Sequence, residues 1–289
     1  MKSLKVESKE DGKKLNTFVT SRFPHLKQSA FQKALRKKDI RINGKRVHEN
    51  VILHTDDEVT IYLSDDVLNG ITVLTVHSFS PVYEDENIAV YCKPVGMETE
   101  GQGSFTENLH VANLEQYLEP CHRLDRNTSG LILYAKSPEV RQILFAKFQK
   151  REIEKHYRAT VLGIPKKKAS TFVDYLFKDA KKSQVYISHT PKPGYVKIIT
   201  QYTLISSDIQ NNTSVLDVQI HTGRTHQIRA HLAFLGYPIL GDGKYGDARV
   251  NKQFHKNTQD LVSYSLHFAF TTDSGILNYL NGKTIQISS

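Results

Sequence analysis

Apolar residues recur along this chain at two spacings, and the change from one to the other divides it. Near the start the spacing is helical. Leu15, Phe18 and Val19 share one face, as do Phe31, Ala34 and Leu35 further on. Ser29 and Gln32 stand three apart ahead of the second run, the spacing of a capping box that starts a helix. Asn43-Gly44 then separates two short apolar-polar alternations, residues 40–42 and 45–47, and predicts a hairpin turn. A last strand over residues 58–63 completes a small α/β domain, residues 1–68, with Leu15, Phe18, Phe31, Leu35, Ile42 and Val59 on its buried side.

Residues 64–80 read as a linker. Beyond them the spacing favours strands. Residues 88–92 and 131–135 are apolar runs of strand length, the first stopped by Lys93-Pro94 and the second bounded by Gly130 and by Lys136-Ser137-Pro138. Residues 138–153 predict a helix with Val140, Ile143, Leu144 and Phe148 on one face, followed by a strand over residues 157–162. Residues 163–195 are turn-rich and basic, with Lys166, Lys167, Lys168, Lys181 and Lys182, and predict either an excursion facing a polyanion or a solvated loop. Strands resume at 196–204 and 215–220. Thr222-Gly223 turns the chain into a helix over residues 225–235 that buries Ile228, Leu232 and Leu235. Such an alternation implies an α+β domain over residues 72–289, built on a mixed, largely antiparallel sheet with flanking helices.

Charge changes the picture of the first domain. The 289 residues carry 39 Lys and Arg against 30 Asp and Glu, a net +9. Residues 13–48 hold eleven of those bases and one acid, whereas residues 49–85 hold no Lys or Arg at all. The bases Lys33, Arg36, Lys37, Lys38, Arg41, Lys45 and Arg46 therefore gather on the polar side of one small unit, an electrostatic footprint suited to RNA. A merely solvated charged face is the other reading. Cys92 and Cys121 make no disulfide framework, and residues 1–10 lack the apolar core of a signal peptide. No apolar run has the length of a bilayer span, so a cytoplasmic protein without membrane contact is expected.

The candidate chemistry lies in residues 121–130, Cys-His-Arg-Leu-Asp-Arg-Asn-Thr-Ser-Gly, where a polar loop enters the 131–135 strand. Asp125 stands between Arg123 and Arg126, and a carboxylate beside guanidinium groups is held ionised. Asn127, Thr128 and Ser129 can bond their own backbone, which makes such a loop rigid. A rigid, ionised carboxylate suits nucleophilic work, although the loop by itself also fits an aspartate that only pairs with its neighbours. Other constellations carry less. Residues 241–246 match a dinucleotide fingerprint by letter but lack the preceding strand and following helix it needs. His221, His226 and His231 are five residues apart and share no helical face, so hydrogen-bonding or core roles are expected and no metal. Cys121 and His122 are adjacent and point to opposite sides of an extended chain, which argues against a thiol nucleophile.

His122-Arg-Leu-Asp125-x-x-Thr-Ser-Gly130 closely resembles the signature of the RluA family of RNA pseudouridine synthases. Three further stretches resemble the same family in the same order: residues 85–96, Lys155-His-Tyr157-Arg-Ala, and Thr222-Gly-Arg224-Thr-His226-Gln-Ile-Arg229-Ala-His231-Leu with residues 236–242 behind it. The segment after Gly96 departs from the family, running Met97-Glu-Thr-Glu-Gly101 where a histidine is usual. The resemblance implies the pseudouridine synthase fold and isomerisation of uridine to pseudouridine, without a cofactor. It implies Asp125 as the essential carboxylate acting at the ribose, by nucleophilic attack or by proton abstraction to a glycal. Arg229 would pair with Asp125, and Tyr157 would stack on the uracil and help remove the proton from carbon 5. Arg123 would fill the gap left by a flipped-out nucleotide, and Lys155, Arg224 and His226 would bind substrate. The first domain is similar to a small RNA-binding domain shared with a small-subunit ribosomal protein. Ribosomal RNA is expected as substrate over transfer RNA, with the protein acting as a monomer. The alternative is a non-catalytic RNA-binding or ribosome assembly protein that retains the fold.

Overall fold

Asn43 and Gly44 take φ of 50° and 75°, the left-handed pair that a two-residue hairpin demands, and they set the register of the first sheet. The computed structural model describes residues 2–63, 65–69, 79–113 and 116–287. Its contacts divide the chain into two units, Met1–Thr75 and Val76–Ser289.

The first unit runs β1 (Lys2–Lys5), α1 (Leu15–Arg22), α2 (Gln28–Lys37), β2 (Ile40–Ile42), β3 (Lys45–Arg46), β4 (Glu58–Ile61) and α3 (Asp65–Leu68). Its sheet order is β1-β4-β2-β3, antiparallel throughout. Leu15, Phe18, Phe31, Leu35 and Val59 are buried in one cluster; Ile42 packs on it half-buried. Ser29 does not cap α2. The helix begins before it, with Lys27 at the N-cap and no side-chain cap bond, so Ser29 lies within the first turn. The predicted linker carries the short α3, and residues 64 and 70–78 of it lie outside the described residues.

The second unit runs β5 (Pro81–Glu84), β6 (Ile88–Lys93), α4 (Phe105–Ala112), β7 (Glu119–Pro120), β8 (Ser129–Ala135), α5 (Pro138–Gln149), β9 (Ile153–Leu162), β10 (Ala169–Asp179), β11 (Gln184–Ser188), β12 (Val196–Asp208), β13 (Thr213–Ile220), α6 (Gln227–Phe234), α7 (Ala248–Gln253), β14 (Leu261–Phe268) and β15 (Thr284–Gln286). Among the described residues these strands form one sheet in the order β11-β10-β12-β13-β9-β14-β8-β6-β5, with β7 beside β8 and β15 beside β14. Only β8 and β14 run parallel; the other pairs are antiparallel. The unit is α+β on a mixed, mostly antiparallel sheet.

Residues 131–135 are continuously apolar because β8 is buried on both faces. Ile132 and Tyr134 join one core with Leu109, Tyr157 and Leu232, while Leu131, Leu133 and Ala135 join a second with Val140 and Leu144 of α5. Gly130, the second residue of the strand, has φ 113°, and a Cβ there would lie 2.1 Å from the Ser263 carbonyl oxygen, so only glycine lets β8 and β14 come together.

Several predicted boundaries move. The α5 helix ends at Gln149 rather than 153, because Arg151 takes φ 61° and reverses the chain, and β9 consequently starts at Ile153. Residues 163–195 are not an irregular excursion: β10 and β11 form a hairpin that extends the sheet, packed through Leu176 and Val185 onto Ile198 and Ala230. Half of β10 faces water and alternates polar with apolar residues, which hid it among the lysines. The helix expected over residues 225–235 is α6, Gln227–Phe234, with Leu235 half-buried at its C-cap.

Candidate active site

Asp125 lies in the loop ahead of β8, and its rigidity comes from three separate clasps. The Thr99 hydroxyl bonds both the carbonyl and the amide of Leu124 at 3.1 Å. Thr128 donates its amide to the Asp125 carbonyl at 3.0 Å while its hydroxyl accepts from buried Gln259 at 2.7 Å. The third clasp is Lys93. This wholly buried lysine ends β6 and donates to the carbonyls of Pro94, Met97 and Arg126 at 2.9, 2.8 and 3.1 Å, so that all three N–H bonds of the ammonium are taken. It ties the 94–97 turn to the residue after Asp125.

The arginines beside Asp125 in sequence are not its charge partners. Arg123 is exposed, and Arg126 turns away to donate to the Gly96 carbonyl at 2.9 Å. The partner is Arg229 of α6, whose Nη1 reaches Asp125 Oδ2 at 3.1 Å. Arg229 is itself held by Asp242 in a two-bond fork, Nε to Oδ2 at 2.7 Å and Nη2 to Oδ1 at 3.0 Å. Asp242 also accepts the Lys244 and Tyr245 amides. Burial pushes the Asp242 carboxyl up, but Arg229 and those amides outweigh it and hold the group below the ordinary carboxylate range. A line Asp125–Arg229–Asp242 results, two carboxylates on one guanidinium, with Asp125 at the open end.

His226 stands on the other side of Asp125. It is the N-cap of α6 in a left-handed conformation, φ 53°, an uncommon place for a side chain this size. Its Nε2 is 4.0 Å from Asp125 Oδ2, and its Nδ1 is 2.9 Å from the Tyr245 hydroxyl. That hydroxyl already accepts the Val185 amide of β11 and so has its own proton to give to Nδ1. Burial lowers the His226 pKa against the pull of Asp125, which leaves a neutral ring with its proton toward the carboxylate.

Tyr157, on β9, is buried beside Ser263 of β14. Burial and the nearby Asp125 charge raise its pKa, so the phenol stays protonated. Lys155, two residues earlier on the same face of the strand, is pulled down to about 8 by burial. Arg224 is exposed on the turn before α6. Together Arg123, Asp125, Lys155, Tyr157, Arg224, His226 and Arg229 line one cleft of about 240 Å³. That is below the roughly 300–1,000 Å³ of drug-sized sites and suits one small polar guest.

Of the other histidines, His231 is fully buried between Thr200 at 2.9 Å and Asp174 at 2.8 Å, where it fixes α6 against β10 and β12. Its core role is as the sequence suggested. In the first unit Lys33, Arg36, Lys37, Lys38, Lys45 and Arg46 are exposed, and none pairs with a carboxylate among the described residues. Arg41 differs, being half-buried with its guanidinium 4.8 Å from the centre of the Tyr62 ring.

The sequence reading missed Asp242, Tyr245 and the clasps by Lys93, Thr99 and Gln259. Asp242 was in view as part of residues 241–246, whose glycines serve a different purpose from phosphate binding. Gly241 has φ 78°, and a Cβ there would lie 2.0 Å from the Thr258 carbonyl, so the turn presents the Asp242 carboxylate to Arg229. A buried carboxylate between glycines, downstream of an arginine that needs a partner, was the available signal.

Comparison with known proteins gives a consistent result. The sequence profile of the family described as RNA pseudouridylate synthase matches residues 87–234. The chain is 30% identical to the ribosomal large subunit pseudouridine synthase C of Buchnera aphidicola subsp. Baizongia pistaciae, covering 92% of this chain and 88% of that protein. It is 31% identical to the protein of the same name from Rickettsia bellii, covering 82% and 84%. Among solved structures, human RNA pseudouridylate synthase domain containing 1 superposes with a TM-score of 0.59 at 21% identity, over 69% of this chain and 82% of that one, a likeness of fold.

Proposed function

The chain belongs to the RNA pseudouridylate synthase family, isomerases that convert uridine to pseudouridine in RNA, and we propose that its substrate is ribosomal RNA of the large subunit and that Asp125 is its essential carboxylate. The relatives named ribosomal large subunit pseudouridine synthase C support the choice of RNA. The observation that carries the residue assignment is the line Asp125–Arg229–Asp242, open to a cleft that Tyr157 also lines.

The reaction breaks the bond from ribose C1′ to uracil N1, turns the ring, joins C1′ to C5, moves the C5 proton away and returns a proton to N1. It needs no redox partner and no group donor. Asp125 acts at the ribose either by attack on C1′ or by taking a C2′ proton to give a glycal, and in both Arg229, 3.1 Å from Oδ2, aims the carboxylate. Asp242 keeps Arg229 aimed. Tyr157 stacks on the uracil, and as a protonated phenol it takes the C5 proton only while giving its own up, with Asp125 as the final base. Flipping the nucleotide into the cleft costs a few kcal/mol, and stacking on one aromatic ring returns about 1–3 kcal/mol. Arg123 fills the vacated stack; Arg224, His226 and Lys155 contact the flipped nucleotide and its flanks.

Lys33, Arg36, Lys37, Lys38, Arg41, Lys45 and Arg46 of the first unit bind RNA phosphates and raise affinity rather than do chemistry. The protein works as a cytoplasmic monomer; among the described residues no helix is long and apolar enough to cross a membrane. A non-catalytic assembly factor would have no use for an ion line that leaves Asp125 accessible. Pseudouridine mapping of total RNA from cells with and without the gene tests the reading. Loss of one or a few pseudouridines from large-subunit RNA is expected, and an unchanged map contradicts it.

A further inference from the structure

The cleft is rich in cations, and not all of them are answered. Asp125 and Arg229 satisfy one another, with Asp242 behind. Among the described residues Lys155 makes no ion pair and no hydrogen bond to a protein acceptor; its ammonium lies 4.9 Å from the centre of the Phe148 ring. On another side is Gly223, an exposed turn residue whose Cβ, if present, would stand 3.6 Å from Lys155 Nζ. The glycine thus leaves a way in from solvent to the ammonium.

His122, whose ring also packs on Phe148 with 5.2 Å between centres, is a donor as well. His122 Nε2 accepts the Leu133 amide at 3.1 Å, which puts the ring proton on Nδ1, and Nδ1 is buried without a partner. Burial and the Lys155 charge hold His122 well below its ordinary pKa, so it is neutral. Burial likewise disfavours the charged form of Lys155. An ammonium packed on an aromatic ring and, among the described residues, without a protein acceptor is incompletely solvated, and its burial becomes favourable when an anion arrives.

We propose that Lys155 anchors a phosphodiester of the RNA backbone beside the flipped nucleotide. Its place on β9 favours a phosphate over the uracil itself. Lys155 and Tyr157 are two residues apart on one strand face, about 7 Å at roughly 3.3 Å per residue, which is beyond the width of a pyrimidine ring stacked on Tyr157. The open side at Gly223 gives a backbone phosphate a path to the ammonium. This deepens the reading of the cleft given above and rests on it for the position of the nucleotide.

The test is binding of a fluorescein-labelled decauridylate, followed by anisotropy between 50 and 200 mM salt, for wild type, Lys155→Met and Lys155→Arg. Lys155→Met is expected to bind about tenfold more weakly, with a plot of log K against log salt shallower by roughly 0.7, one phosphate's worth on a single strand. Lys155→Arg restores the slope, which separates loss of charge from damage to the fold. An unchanged slope in Lys155→Met overturns the proposal, and so does a lower affinity at the wild-type slope, since that marks a contact to an uncharged group. Binding is read without turnover. If the slope changes in a protein that makes no pseudouridine, the phosphate anchor stands and the isomerase reading falls.

Discussion

Replacing Asp242 by asparagine separates the support of the active site from the site itself. Asp242 never faces the cleft, so any effect on turnover passes through Arg229. Four N–H groups point at its carboxylate: Nε and Nη2 of Arg229, and the amides of Lys244 and Tyr245. An asparagine keeps one acceptor oxygen and turns an NH2 group against at least one of those donors. A buried donor left unpaired costs about 1–3 kcal/mol, and removing one partner of a buried ion pair about 3–5 kcal/mol. Asp125 still balances the guanidinium, which places the loss near the lower figure, about 3 kcal/mol. In a unit of this size each kcal/mol lowers Tm by about 2–4 °C, so a fall of about 6–12 °C is expected. Turnover should drop by about 10²-fold, the usual effect of a small misplacement near the chemistry. The pH dependence has a definite sign. Because the folded Asp242 pKa is depressed, the unfolded chain binds more protons between that value and the ordinary one of about 3.9; the stability this group contributes is present above about 4 and lost as pH falls through the folded pKa. Asp242→Asn should therefore lose stability less steeply in that acid window than wild type. Melting curves by circular dichroism from pH 2.5 to 7, with tritium release from uridine labelled at C5, measure all three. A variant with wild-type Tm and wild-type turnover would refute the role given to the Asp242 fork.

Lys93→Met keeps the aliphatic length but abandons three carbonyls, and should lower Tm and turnover together; an active, fully stable variant shows that the loop after Asp125 does not need this clasp. Tyr157→Phe keeps the stacking face, so RNA affinity should hold within a factor of two while release of C5 tritium nearly stops; wild-type release removes the hydroxyl from the proton path. Exchanging Arg36, Lys37 and Lys38 for glutamine in the first unit should flatten the salt dependence of RNA binding by roughly 2, at roughly 0.7 per phosphate contact, with no change in Tm. An unchanged slope takes the RNA-binding role from that face.

Much of this molecule is legible where local chemistry decides and obscure where partners come from far away in sequence. The 131–135 run reads as a two-sided buried strand because nothing polar interrupts it, and the Asn43-Gly44 turn because few residues tolerate both left-handed positions. The hairpin of β10 and β11 was hidden, since its stability comes from pairing with β12 and from Leu176 and Val185 packing under α6, not from its own alternation. The same reason governs β14, the strand between β8 and β9, whose polar alternation is that of an ordinary surface strand. In the site, Asp125 could be singled out but its neighbours misled. Arg123 and Arg126 are adjacent in the chain, yet the loop turns their side chains outward, and the charge that Asp125 meets arrives from α6, a hundred and four positions along. Asp242 escaped because its flanking glycines resembled a phosphate loop, and Tyr245 because its contacts, His226 and the Val185 amide, come from distant elements.

The most direct test of the central claim is single-turnover tritium release from C5-labelled large-subunit ribosomal RNA by purified Asp125→Asn. The asparagine keeps the shape of the loop and one acceptor for Arg229, so the protein should melt near wild type and bind RNA with near wild-type affinity, and release no label above background. Label released by the folded variant at a rate within tenfold of wild type would contradict Asp125 as the carboxylate on which the reaction depends.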